Sequence, residues 1–339
     1  MRLSFRQQLL YPILIALAGL AVASMIDISD LPLQPYYEPF TYALLAVGLY
    51  GSVYGIHLEE LQNHRVIVLR AVTVGVLLKT AIIGLILYLV TQDAVAFLLA
   101  LTVAQIDPLS VANLLKGGTS KLSSRAHTIL SAWSSFDDPM TVLLSIYALF
   151  FFVPHTATGS MFGSVLPFFI GLAQNLLFFL VTYLVYSRIK ESSSAQVLLL
   201  FACFVIAVTF QWMLGIAIIG LFLRPKIKQL SLVISAAFYI AVLLLGFLLV
   251  NGVYWIQGLA LGFGAILAQI LVGLLLTRNL PRSERLYLAF AQQNGITALI
   301  LALFFERDLP MTVGIVAPAI IIINLGYYIF NSLVFKYNA

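Results

Sequence analysis

Long apolar runs separated by short polar stretches follow one another along almost the whole chain, from Leu9 to Phe335. A helix that crosses a bilayer needs roughly 20 consecutive apolar residues to match a hydrocarbon core of about 30 Å. The pattern predicts twelve spans, near 9–26, 40–56, 66–90, 94–115, 125–153, 161–187, 195–210, 212–223, 229–250, 254–277, 285–305 and 309–334. Residues 195–223 read as two short helices around Gln211, because basic clusters on both flanks require an even number of crossings between them. Each half is short for the membrane and must be buried against neighbours or meet a thinned bilayer. Span 1 also has the outline of a signal peptide, with Arg2 and Arg6 ahead of it and Ala21-Val22-Ala23 near its end. Its length and its fit to the topology favour a retained helix.

Composition agrees. The 339 residues are 62% hydrophobic and 9% charged, against roughly 25% charged in a soluble domain. The fold class is therefore all-α and polytopic in a membrane, and disorder, coiled coil and nucleic-acid binding are excluded. The lone Cys203 rules out an intrachain disulfide framework. The net charge of +5 acts as a topological signal: of the 18 Lys and Arg, all but Lys79 and Arg307 fall in or beside loops on one side. Asp27, Asp30, Glu38, Asp93, Glu306 and Asp308 fall on the other. By the positive-inside bias both termini are cytoplasmic.

Three acids lie where acids are costly, at about 2.5–3.5 kcal/mol each near a span centre: Asp107, Asp137 and Asp138. In span 5, Ser131, Ser134, Asp138, Thr141 and Ser145 follow three- and four-residue spacing and share one helix face, with Asp137 about 100° away. Pro139 has no N–H, so the Ser135 carbonyl is left without its helical donor. Carboxylate, carbonyl and hydroxyl oxygens suit a small hard cation or a proton. Span 4 carries Thr102, Gln105, Asp107 and Pro108 at mid-depth, and span 11 carries Gln292, Gln293, Asn294, Gly295 and Thr297. Interrupted spans in corresponding halves of a chain point to a transporter site. Asp107 is suited to the positive N-terminus of a half-helix, and Asn294 to a negative C-terminus. His57, His64, His127 and His155 sit at span ends, and no cofactor is expected.

These residues resemble the monovalent cation/proton antiporter superfamily. Gln105-Ile106-Asp107-Pro108 is similar to the Thr-Asp-Pro signature of its first broken helix, and Ser134-Ser135-Phe136-Asp137-Asp138-Pro139 to the acid pair and proline of its next helix. Pro281-Arg282-Ser283-Glu284-Arg285, running on to Gly295-Ile296-Thr297-Ala298, resembles the approach to the second broken helix. The resemblance implies inverted repeats with two crossing broken helices. Residues 66–153 and 253–339 would form a core domain, 1–65 and 191–252 a dimerisation domain, and 154–190 a linking helix. It further implies a homodimer in a bacterial or archaeal inner membrane, working by alternating access. Asp138 would bind Na+ or H+, with Asp137 beside it and Thr102, Gln105, Asp107, Ser134, Thr141 and Asn294 in support. Family members with an acid pair usually carry a Lys on span 10, where this chain has Gln269. Lys79, in mid-span 3, is the inverted-repeat counterpart, and its expected partner is Asp137 or Asp107.

The expected activity is exchange of Na+ or Li+ for H+, because one carboxylate cannot hold a proton and a cation together. K+/H+ exchange and Na+-coupled symport of an organic anion remain as alternatives. A symporter would need a basic residue for the anion, and Lys79 is the intramembrane candidate.

Overall fold

A computed structural model describes residues 9–26, 28, 30–54, 65–107, 124–152 and 161–337. Pro108, Lys116, Lys121, His57, His64 and His155 lie outside these. The described residues are helical, with connecting turns and no strand. That is the solution open to a chain whose backbone polar groups find no water in the bilayer.

The helices, in order, are α1 (Tyr11–Ala23), α2 (Tyr37–Tyr54), α3 (Arg65–Arg70), α4 (Val76–Thr91), α5 (Val95–Ala104), α6 (Ser124–Phe152) and α7 (Met161–Ile189). Then follow α8 (Ser193–Phe210), α9 (Met213–Ile219), α10 (Leu230–Leu248), α11 (Trp255–Leu276), α12 (Arg282–Ala289), α13 (Ile296–Glu306) and α14 (Thr312–Tyr337). A π turn over Ala71–Gly75 joins α3 to α4, so the third span is continuous.

The break required at Gln211 is present. Gln211 takes a left-handed conformation at φ 60°, ends α8 with its N–H on the Ala207 carbonyl, and lets α9 start two residues later. Spans 4 and 11 are both interrupted. α5 stops at Ala104 with Gln105 extended, and α12 and α13 are separated by non-helical residues 290–295. α4 and α6 both pack on α5, and α11 and α13 both pack on α14. α11 also packs along α4, which closes the bundle.

Lipid tails compete equally for apolar side chains, so close backbone approach must supply much of the helix pairing. The α1–α10 pair depends on it. A Cβ at Gly246 would stand 2.2 Å from the Ala16 carbonyl oxygen, and one at Gly19 2.5 Å from that of Leu243. Gly246→Val should therefore lower the melting temperature of detergent-purified protein by an amount equivalent to about 1–3 kcal/mol. Gly171→Ala on α7, where a Cβ meets nothing within 4 Å, should leave it in place, as a thermal-shift assay on both variants would read.

Candidate functional site

The two breaks cross, and each completes the other's hydrogen bonding. The Asp107 N–H donates to the Gln293 carbonyl at 2.9 Å. Val103 and Gln105 carry carbonyls left over at the end of α5, and both accept from Gln292 Nε2, at 2.9 and 3.0 Å. Asn294 Nδ2 adds a bond to Val103 O at 3.3 Å. Asn324 of α14 braces the second break reciprocally: its Nδ2 donates to Asn294 O and its Oδ1 accepts from Asn294 N–H. At the end of α12, Gln269 Nε2 donates to Leu288 O at 2.9 Å. Gln269 thus caps a half-helix C-terminus as a neutral donor.

Glycine is required at 295 by contact, since a Cβ there would lie 2.4 Å from the Asp107 carboxyl carbon. Asp107 therefore sits against the start of α13, where the first N–H groups of a helix point outward. Thr102 and Gln105 are tied locally, Thr102 Oγ1 to Leu99 O and Gln105 Nε2 to Thr102 O.

The adjacent acids of α6 face different surroundings, as their 100° separation predicts. Asp137 Oδ2 lies 2.8 Å from Lys79 Nζ and also accepts the Ile106 N–H at 2.9 Å. Both charged side chains are fully buried, and Lys79 also stands 5.7 Å from the Trp133 ring centroid. Of the two partners open to Lys79, the structure places it on Asp137. The pair ties α4 to α6 and, through Ile106, to the first break.

Asp138 is fully buried and, among the described residues, pairs with no cationic side chain. Its Oδ2 accepts two hydroxyls, Ser52 Oγ at 2.8 Å and Thr297 Oγ1 at 2.7 Å. Its Oδ1 is buried and takes no hydrogen bond from the described residues. The hydroxyls expected from the α6 face are occupied differently. Ser134 Oγ bonds Ser131 O, and Thr141 Oγ1 bonds the Asp137 carbonyl. Both follow the back-bonding habit of Ser and Thr inside helices. The residues that touch Asp138 instead come from α2 and from the head of α13. Thr297 was visible within the polar cluster of span 11, whereas Ser52 is a single small hydroxyl in an apolar span and gave no signal. Asn324 was missed, although an amide in mid-span is a signal that could have found it.

A cavity of about 270 Å³ runs between α1, α10 and α14 and ends against Asp107, Gln293, Asn294 and Gly295. A separate cleft of only about 20 Å³ lies between Leu49, Pro139, Asn175 and Gln211.

Crossed helix breaks in inverted halves, with buried carboxylates beside the crossing, define a secondary transporter of the sodium/proton antiporter-like fold. The sequence profile of the family "Sodium/hydrogen exchanger, transmembrane" matches residues 5–336, and the chain belongs to that family. It is an integral membrane transporter and not an enzyme. The fold matches that of the sodium proton antiporter MjNhaP1 from Methanocaldococcus jannaschii at pH 8, with a TM-score of 0.72 and 20% identity over 94% of this chain and 92% of that one. An electron-microscopy map of the same antiporter matches at a TM-score of 0.55 and 19% identity, over 95% of this chain and 87% of that one. No curated protein matches the sequence.

Unpairing one member of a buried ion pair costs about 3–5 kcal/mol. Lys79→Gln should accordingly lower thermal stability by about that amount, and adding Asp137→Asn should recover much of it. A double-mutant cycle measures the coupling, which should be large for Lys79 with Asp137 and small for Lys79 with Asp138.

Proposed function

We propose that the chain exchanges Na+ or Li+ for H+, with Asp138 as the group for which the two ions compete. The observation that carries this reading is the asymmetry of its carboxylate. One oxygen is fixed by two hydroxyls, and the other is buried beside the crossing with no donor of its own. A buried carboxylate has to be neutralised. A proton on Oδ1 does this, and so does a hard cation drawing on Asp138, the Thr297 hydroxyl oxygen and the Ser135 carbonyl freed by Pro139. The two occupants exclude each other, and exchange follows from that exclusion. Asp137 meets the same requirement through Lys79 and does not need an ion. That engagement counts against organic-anion symport, which would call on Lys79 for the anion.

In this reading, residues 66–153 and 253–339 form the moving core, and 1–65 with 191–252 form the scaffold of a homodimer, joined by 154–190. Both termini are cytoplasmic, in a bacterial or archaeal inner membrane. The 270 Å³ cavity, lined at one end by Leu9 and Tyr328, then opens toward the cytoplasm. The 20 Å³ cleft is what remains of the outer route.

Asp138→Asn should abolish Na+-driven proton movement in proteoliposomes while leaving the protein folded. Asp137→Asn should retain exchange with altered apparent affinity, and a reversal of that ranking would move the ion site to Asp137. For the orientation, single cysteines in a Cys203→Ala background at Gln92 and Asp308 should react with an impermeant thiol reagent added outside intact cells. Cysteines at Ser192 and Ser283 should not.

A further inference from the structure

α2 and α13 lie along one another over most of their length. Tyr37 donates its hydroxyl to Leu303 O at 2.7 Å, the Tyr42 ring meets Phe304 edge-on at 5.1 Å, and Gly48 faces Ile300. At one end of this seam Glu38 pairs with Arg307, and Gln211 Nε2 donates to Glu38 at 2.9 Å. At the other end Ser52 and Thr297 hold the same oxygen of Asp138. Given the division into scaffold and core proposed above, this is a seam that must slip during transport. Thr297 and Asp138 would travel together, and Ser52 would be left behind.

Ser52 carries one hydroxyl proton and has two acceptors within reach. One is Asp138 Oδ2 at 2.8 Å, and the other is the Gly48 carbonyl of its own helix at 3.0 Å. A hydrogen bond to an ionised carboxylate is roughly twice as strong as one to a neutral acceptor. The proton therefore goes to Asp138 whenever that carboxylate is empty and charged. Once a proton neutralises Asp138 or a bound cation balances its charge, Oδ2 becomes a weaker acceptor, and the Gly48 carbonyl can take the hydroxyl with no bond left unmade.

We propose that Ser52 is the positioning residue that makes exchange obligatory. Its hydroxyl ties the scaffold to an empty, ionised Asp138 and lets go when Asp138 is occupied. An empty carrier is held, and a loaded one is free to cross. The proposal rests on Asp138 being the ion site and adds to it the reason an unloaded carrier does not return.

The test uses the full chain in proteoliposomes, with voltage clamped by an ionophore and pH alkaline on both sides so that protons are scarce. Efflux of ²²Na+ is measured into medium with Na+ (exchange) and into medium without it (net loss). In Ser52→Ala the ratio of net loss to exchange should rise about tenfold over wild type, whatever happens to the exchange rate itself. Ser52→Cys, a weaker donor of nearly the same size, should give an intermediate rise, and it carries the test if Ser52→Ala does not fold. Thr297→Ala removes an equally short bond to the same oxygen, but one internal to the core. It should weaken apparent Na+ affinity and leave the ratio unmoved. An unchanged ratio in the Ser52 variants, or an equal rise in Thr297→Ala, overturns the proposal. Exchange retained in Asp138→Asn would overturn instead the ion-site assignment on which it rests.

Discussion

The two helix breaks meet at mid-depth, where the surrounding side chains are mostly apolar and offer few hydrogen-bond partners, and the rest of the molecule is arranged around that constraint. Each break exposes carbonyls and N–H groups that an unbroken helix would have paired, at a cost of several kcal/mol apiece in hydrocarbon. They are satisfied by one another and by a small set of amides: Gln292 and Asn294 on the end of α5, Asn324 on the second break, and Gln269 on the end of α12. Neither break would be tolerable alone. A crossing of two is self-sufficient, and it leaves Asp107 against the head of α13 with Asp138 nearby.

The acid pair divides the electrostatic problem. Asp137 is balanced permanently by Lys79 and by a backbone N–H, and this binds the α4–α6 packing to the first break. Asp138 is given hydroxyls, which orient it without cancelling its charge. Adjacent residues on one helix can be treated so differently because a helix turns 100° per residue. One acid faces inside its own bundle, and the other faces the seam with α2.

Helix positions, the break at Gln211, both interruptions and the special standing of Asp107, Asp137 and Asp138 were all legible in the sequence, because each is a local departure from apolar monotony. The pairing of Lys79 was legible only to within two partners, since repeat symmetry locates a helix and not the end of a side chain. The ligands of Asp138 were harder. The shared face of Ser134, Asp138 and Thr141 is real, but a hydroxyl in a helix finds its own i−3 or i−4 carbonyl closer than any neighbour, and that competition is invisible in spacing. Ser52, by contrast, gains its role from α2 lying beside α6, a tertiary fact with no trace in a span that otherwise reads as filler.

The touching backbones of α1 and α10 set a condition on how the chain is made. Gly19 and Gly246 each let the other's helix approach closely, yet more than 200 residues separate them in the sequence. At about 5–20 residues per second of synthesis, the first helix waits roughly 10–45 seconds for its partner. During that interval it stands in the bilayer with its glycine groove facing lipid. A small-residue groove is the surface by which single membrane helices associate. A segment made so long before its partner is therefore open to pairing with the wrong helix, until α10 arrives to cover it.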